Sequence, residues 1–225
     1  GSARHDPGQP LPEWSLSVID ISISDEDFSR ALRQLKGIPY GIQKAMYPAV
    51  AETMQHIRKG LVGYLVSEVP LPDGALKSAV KLSQPVHTGG TVSGYVAVRS
   101  NVQPLIYYDV EPQTLTAQPG KRPSQWADFT YSLRSGERRA GKERGGSSFP
   151  FIAVMPGGHM GVYFRASFTS RNTGKVSIKQ AYGPTIQYHV VTPRVREMFE
   201  RESEERLPVI LARQVQQTLA VESKK

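Results

Sequence analysis

The chain has no cysteine. That removes disulfides, zinc fingers, iron–sulfur sites and thiol nucleophiles together, without fixing the redox compartment. Long apolar runs are missing too: no stretch approaches the roughly 18 residues of a transmembrane helix, and no charged–apolar–small series resembles a signal peptide. Tandem repeats and low-complexity arrays are likewise absent. What is present is a chain of 225 residues, 39% of them hydrophobic, enough to bury a core and unlike the composition of a disordered segment. The length suits one domain, or two small ones.

Net charge is +8, and it is local. Residues 1–120 carry 10 bases and 11 acids, and residues 193–225 carry 7 and 6. Residues 121–192 carry 11 bases and 3 acids, so this middle third holds the whole imbalance. Its loop Arg134-Ser-Gly-Glu-Arg138-Arg139-Ala-Gly-Lys142-Glu-Arg144-Gly-Gly-Ser-Ser is basic and almost free of large apolar groups, and Arg165, Arg171, Lys175 and Lys179 follow without intervening acids. Concentrated positive charge attracts phosphate backbones and acidic protein faces through salt-screened forces. A charged loop kept in solvent for solubility has the same composition. No aromatic is interleaved in the loop, which argues against a single-strand stacking platform.

Residues 1–24 read as a flexible arm, Pro- and Gly-rich up to Trp14, and Gly1-Ser2 reads as a cloning remnant or as a start from which Met was removed. The expected order is a strand through Leu16–Ile23, then a helix from Asp25 capped by Ser24 and stopped at Gly37. A long helix over 39–66 follows, kinked or broken at Pro48. Strands are expected at 76–82, 92–98 and 104–110, with Gly89-Gly90 turning the first pair. A short strand through Phe129–Leu133, a hairpin of Phe149–Val154 and His159–Phe168 about Pro156-Gly157-Gly158, and a strand Val176–Gln180 complete the sheet. The last helix runs from Pro193 to Leu219, with Pro208 inside it and residues 221–225 as a tail. Helices, then sheet, then helix make an α+β fold, with an antiparallel or mixed sheet packed against a long helix of the N-terminal half and a C-terminal helix, over one domain at 25–220.

Candidate chemistry is thin. Gly136-Glu-Arg-Arg-Ala-Gly141-Lys142 fits the spacing of a phosphate loop, but Glu143 stands where magnesium needs Ser or Thr. The histidines His5, His56, His87, His159 and His189 form no metal spacing. His159, among glycines, reads as a backbone-shaping residue. Glu197–Arg201 and Glu202–Arg206 on the last helix read as solvated pairs at four-residue spacing. No catalytic, cofactor-binding or metal residue is assigned.

The stretch Phe151-Ile-Ala-Val-Met155-Pro-Gly-Gly158-His159-Met-Gly161-Val162-Tyr-Phe-Arg165 resembles a signature of the minor tail protein Z, or tail-completion, family of tailed bacteriophages. Val176-Ser-Ile178-Lys179 and Gly183-Pro184-Thr185-Ile186 match the elements that follow it in that family. The resemblance spans about residues 28–220 and is most specific over 149–187; Pro48 and Pro208 depart from it. It implies a virion protein without catalysis, assembled in the host cytoplasm and placed at the tail or neck. There it would form a six-fold homo-oligomeric ring that completes the head-proximal end of the tail and supports head–tail joining. The implied partners are the tail terminator, tail tube and head-connector proteins, and packaged DNA, with no membrane. Phe151, Gly157, Gly158, His159, Gly161, Gly183 and Pro184 would then be structural, the glycines 157, 158 and 161 permitting a tight turn with positive φ. Arg134, Arg138, Arg139, Lys142, Arg144, Arg165, Arg171, Lys175 and Lys179 would meet a partner or DNA. The alternative is a DNA-binding accessory domain acting through residues 121–192.

Overall fold

The computed structural model describes residues 18–117, 126–141, 150–169 and 176–224. The fold is α+β, with four α-helices and three small antiparallel sheets among the described residues. The chain divides into two compact units that interleave in sequence. One holds residues up to Gly63, Ser78–Arg99 and the chain from Val190 onward; the other holds Tyr64–Lys77 and Ser100–His189.

In the first unit, β1 (Val18–Ser22) buries Ile19 and Ile21 by simple alternation. The helix α1 (Asp25–Gln34) starts where the Ser24 hydroxyl accepts the Asp27 N–H at 3.2 Å, with three acids in its first turn. It buries Phe28 and Ala31, leaves Leu32 exposed, and gives way to Gly37 at φ +88°. A π-helical turn, Ile42–Met46, then leads into α2 (Tyr47–Glu68). Pro48 does not break the helix, which runs without interruption from residue 41 to Glu68, and the π-helical turn lies just before the proline. Pro48 has no N–H for the Lys44 carbonyl four residues back, and the Thr218 hydroxyl lies 3.4 Å from that oxygen while giving a 2.9 Å bond to the Gln214 carbonyl.

Residues 76–82 are not one strand. Asp73–Ala79 is a helix, α3, and only Val80–Leu82 is a strand, β2. Leu76, Ser78, Val80 and Leu82 alternate, but Pro72 and Asp73 open a helical turn, with the Pro72 carbonyl accepting the Ala75 and Leu76 N–H groups. Gly89-Gly90 instead joins β3 (Val86–Thr88) to β4 (Thr91–Val98) as a two-residue hairpin, with φ values of +63° and +86°. Central β4 pairs with β1 along one edge and with β2 and β3 along the other.

The last helix, α4 (Pro193–Glu222), outruns its expected end by three residues. It buries Val195, Phe199, Ser203, Leu207, Leu211 and Val215, a narrow four-residue stripe packed on β1, α1 and the π-helical turn. Met198, although apolar, lies off this stripe and is exposed. Pro208 does not break the helix, because it and Glu204, whose carbonyl loses a donor, are both exposed to water.

In the second unit, Leu105–Tyr107 is a 3-10 turn and not the expected strand; Tyr108 and Val110 beyond it are fully buried. Short strands β5 (Thr130–Tyr131) and β6 (Arg139–Ala140) pair with each other. A second sheet is built from β7 (Phe151–Val154), β8 (Met160–Thr169) and β9 (Val176–Gln180), with Ile152 opposite Val162 and Phe164 opposite Lys179. Buried Thr116 continues it past β7, exchanging backbone N–H and side-chain bonds with Ile152.

Candidate functional site

The residues singled out by the tail-family motif lie in the second unit and act on backbone shape. The Gly158 N–H bonds the Met155 carbonyl at 2.8 Å and the Met155 N–H bonds the His159 carbonyl at 3.1 Å, closing the β7–β8 turn. Of the three glycines expected at positive φ, only Gly158 is there, at +78°. Gly161 is glycine for another reason: a Cβ would stand 2.9 Å from the Tyr163 ring. His159 contributes its carbonyl to the turn, while its imidazole is exposed. Phe151 is buried edge-on against Trp126, with ring centroids 5.0 Å apart.

Gly183 and Pro184 are fixed by one buried ring. A Cβ on Gly183 would come within 2.1 Å of Tyr108, whose hydroxyl donates to the Pro184 carbonyl at 2.6 Å. The Gly183 N–H bonds the Gln103 carbonyl at 2.8 Å. The Ile186–His189 3-10 turn follows, anchored by the Ile186 N–H on the Ser100 hydroxyl at 2.8 Å.

The basic residues part company. Arg138 is committed to its own fold: its guanidinium donates to Asp109 at 3.0 Å and to Thr130 at 3.2 Å, and reaches Glu111 at 3.1 Å. Arg165 stands 6.0 Å over the Trp126 ring. Lys179 lies exposed on β9. Lys142, Arg144, Arg171 and Lys175 fall outside the described residues, as do the start of the N-terminal arm up to residue 17 and residues 142–148 of the basic loop.

Arg134 and Arg139 come together in a cavity of about 260 Å³. Leu133, Arg134, Glu137 and Arg139 line one wall; Gly183, Pro184 and Tyr188 line the other. The first wall is a hydrogen-bonded turn. The Arg134 carbonyl accepts the Ser132 hydroxyl and the Glu137 N–H, and the Ser135 N–H bonds the Glu68 carbonyl at 2.9 Å. Gly136, at φ +83°, allows the reversal. Arg139 pairs with Glu137 at 3.4 Å, whereas Arg134 makes no ion pair with any described residue.

His189, next to Tyr188, was not separable from the other histidines in the sequence. It is 1% exposed and neither ring nitrogen has a hydrogen-bond partner among the described residues. Burial, and then the charge of Arg134, push its imidazole down to about 4. Its place in the run Tyr188-His189-Val190-Val191, beside two apolar residues, is the one signal of burial that the sequence carries. Among the described residues no group of three or more His, Asp or Glu side chains is placed to hold a metal ion, and no helix is long and apolar enough to cross a membrane. Compared with known protein families, curated proteins and solved structures, the chain matches none.

Proposed function

We propose that this chain is a structural subunit of a bacteriophage tail. In this reading it completes the head-proximal end next to the tail terminator and supports head–tail joining from a position in the virion neck. One observation carries the reading: the described motif residues are spent on shape. Phe151, Gly158, Gly161, Gly183 and Pro184 each satisfy a packing or backbone requirement of one small sheet and its flanking turn. A subunit of this kind closes a ring through heterologous contacts, for which a six-fold ring touching tube and connector is the arrangement proposed.

Direct DNA binding through residues 121–192 is less favoured by the described bases. Arg138 and Arg139 are answered by Asp109, Glu111 and Glu137, so the face does not offer an unbroken track for phosphates. Size-exclusion chromatography with light scattering, then electron microscopy of the protein alone and with tail tubes, tests the reading. The expected result is a ring that caps tube ends, and virions lacking the protein should show heads and tails that fail to join. A monomer that ignores tube ends and binds DNA with a steep salt slope would overturn it.

A further inference from the structure

The geometry points to a second property of the cavity between the Arg134 turn and Gly183-Pro184: it binds the carboxylate of an acidic protein segment, with Arg134 as the receiving group. The partner's being a protein rests on the assembly reading above; the chemistry of the cavity does not.

Four features lead there. Arg134 is half-buried and its guanidinium has no ion-pair partner among the described residues, while nearby Arg138 has two acids and Arg139 has one. A planar guanidinium with its donors unspent matches a carboxylate in two parallel bonds. Both walls are already rigid. The Arg134 carbonyl is held twice, and the opposite wall is held through Gly183, Pro184 and Ile186, so little ordering is needed on binding. At about 260 Å³ the cavity is smaller than the roughly 300–1,000 Å³ that enclose drug-sized ligands, and it suits one acidic side chain. Tyr188, 60% exposed at the rim, offers a ring face to the stem of such a side chain.

Glu137 decides between the two macromolecular classes. It sits in the cavity wall and already engages Arg139, so the site holds a competing carboxylate beside a cation that lacks one. A surface built to follow a nucleic-acid backbone would be penalised by that acid at every approach. A single carboxylate directed at Arg134 meets one such acid, in a wall that also carries the Arg139 charge. The same arrangement makes Glu137 a restraint on affinity, and removing its charge should tighten binding.

The test uses the full chain, isotope-labelled for amide NMR, titrated with acetylated tetraglutamate, tetraglutamine, inorganic phosphate and a short DNA duplex. Tetraglutamate should give saturable shifts at amides of 133–139 and 183–189, weakening as salt is raised, and tetraglutamine none. Arg134→Lys should weaken binding about tenfold with the fold intact, since the bidentate geometry is lost while the charge stays. Glu137→Gln should tighten binding several-fold, a gain that a purely structural role would not produce, and Arg138→Gln should leave it unchanged. The proposal is overturned by any of these results: no saturable response, an equal response to tetraglutamine, indifference to Arg134→Lys, or weaker binding by Glu137→Gln. Phosphate binding the same amides as tightly makes the cavity a general anion site, and tighter DNA binding there assigns it to nucleic acid; either outcome also sinks the proposal. A monomer that binds tetraglutamate would keep the cavity and remove the ring, and a ring with a silent cavity would do the reverse.

Discussion

Tyr108 and Gly183 form a contact in which neither partner has anywhere to go. The ring is fully buried and its hydroxyl is tied to Pro184 at 2.6 Å, so a methyl group added 2.1 Å from the ring cannot be relieved by rotation. Gly183→Ala should therefore cost about 3 kcal/mol, at the upper end for overpacking. Gly94→Ala is the comparison. There the added Cβ meets the Met54 sulfur at 2.7 Å, near the end of a flexible side chain, and about 1 kcal/mol is expected. Urea unfolding of both variants checks the ranking, and equal costs would remove the argument. His189 supplies a pH dependence at the same scale. Its folded value of about 4 lies below its ordinary 6.5, so below pH 6.5 the unfolded chain takes up a proton that the folded chain refuses. Stability should fall as pH drops from 6.5 toward 4 and then level off for this group. Between pH 7 and pH 5 the loss attributable to it is about 2 kcal/mol. Measured against His189→Leu, which lacks the group, the native protein should lose that much more over the same interval.

At the scale of elements, what ties α4 to the rest of the first unit beyond its apolar stripe is a set of pairs across helices. Arg213 bonds Glu52, Gln214 reaches the same carboxylate at 3.0 Å, His56 meets Glu202 at 2.7 Å, and Lys44 meets Glu222 at 2.8 Å. The Arg213 bond holds the Glu52 carboxyl below its usual range, against an opposing effect of burial. Both side chains are about half exposed, at 42% and 51%, so solvent screens the pair. A double-mutant cycle over Glu52→Gln and Arg213→Gln should give a coupling of about 0.5–1 kcal/mol that shrinks in 1 M salt. A coupling of 3 kcal/mol would mean that the pair is far better shielded than its exposure implies. These contacts explain what sequence could and could not reveal. The pair Glu202–Arg206 was legible because four-residue spacing is a property of one helix, and it forms at 3.3 Å; Glu197–Arg201, equally spaced, is not among the ion pairs, while Arg196–Glu200 is, at 2.6 Å. Glu52–Arg213 was not legible, since the two lie 161 residues apart and no local period joins them. The strand of Ile19 and Ile21 and the cap at Ser24 can be read locally, whereas α3 is hidden because Leu76, Ser78, Val80 and Leu82 mimic a period of two across a helix-to-strand junction. The Arg134 cavity was half legible: its basic residues were found, but the neutralisation of Arg138 by Asp109 and Glu111 depends on contacts distant in sequence.

For the molecule as a whole, the charge that begins as +8 over the chain becomes specific once its partners are counted. Arg138 and Arg139 are answered from within the second unit, and Arg134 is the cation there left to face an external acid among the described arginines of its turn. The same interleaving that gathers those residues makes the molecule depend on its last helix. The first unit draws β1 and α1 from residues 18–34 and α4 from residues 193–222, so its core closes only when the last of these is in place. Ending the chain after Arg206 would remove buried Leu207, Leu211, Val215 and Thr218 together with the Arg213 and Glu222 pairs. At about 1.5–3 kcal/mol for each of the three large apolar side chains, the loss rivals the 5–15 kcal/mol that holds an average domain folded. Amide exchange should then show β1, α1 and the π-helical turn losing protection together, while β7, β8 and β9, whose partners all lie between residues 100 and 189, keep theirs. Uniform loss across both sets would mean that the two units fold as one, and unchanged protection in β1 would mean that the second half of α4 contributes little to the core it covers.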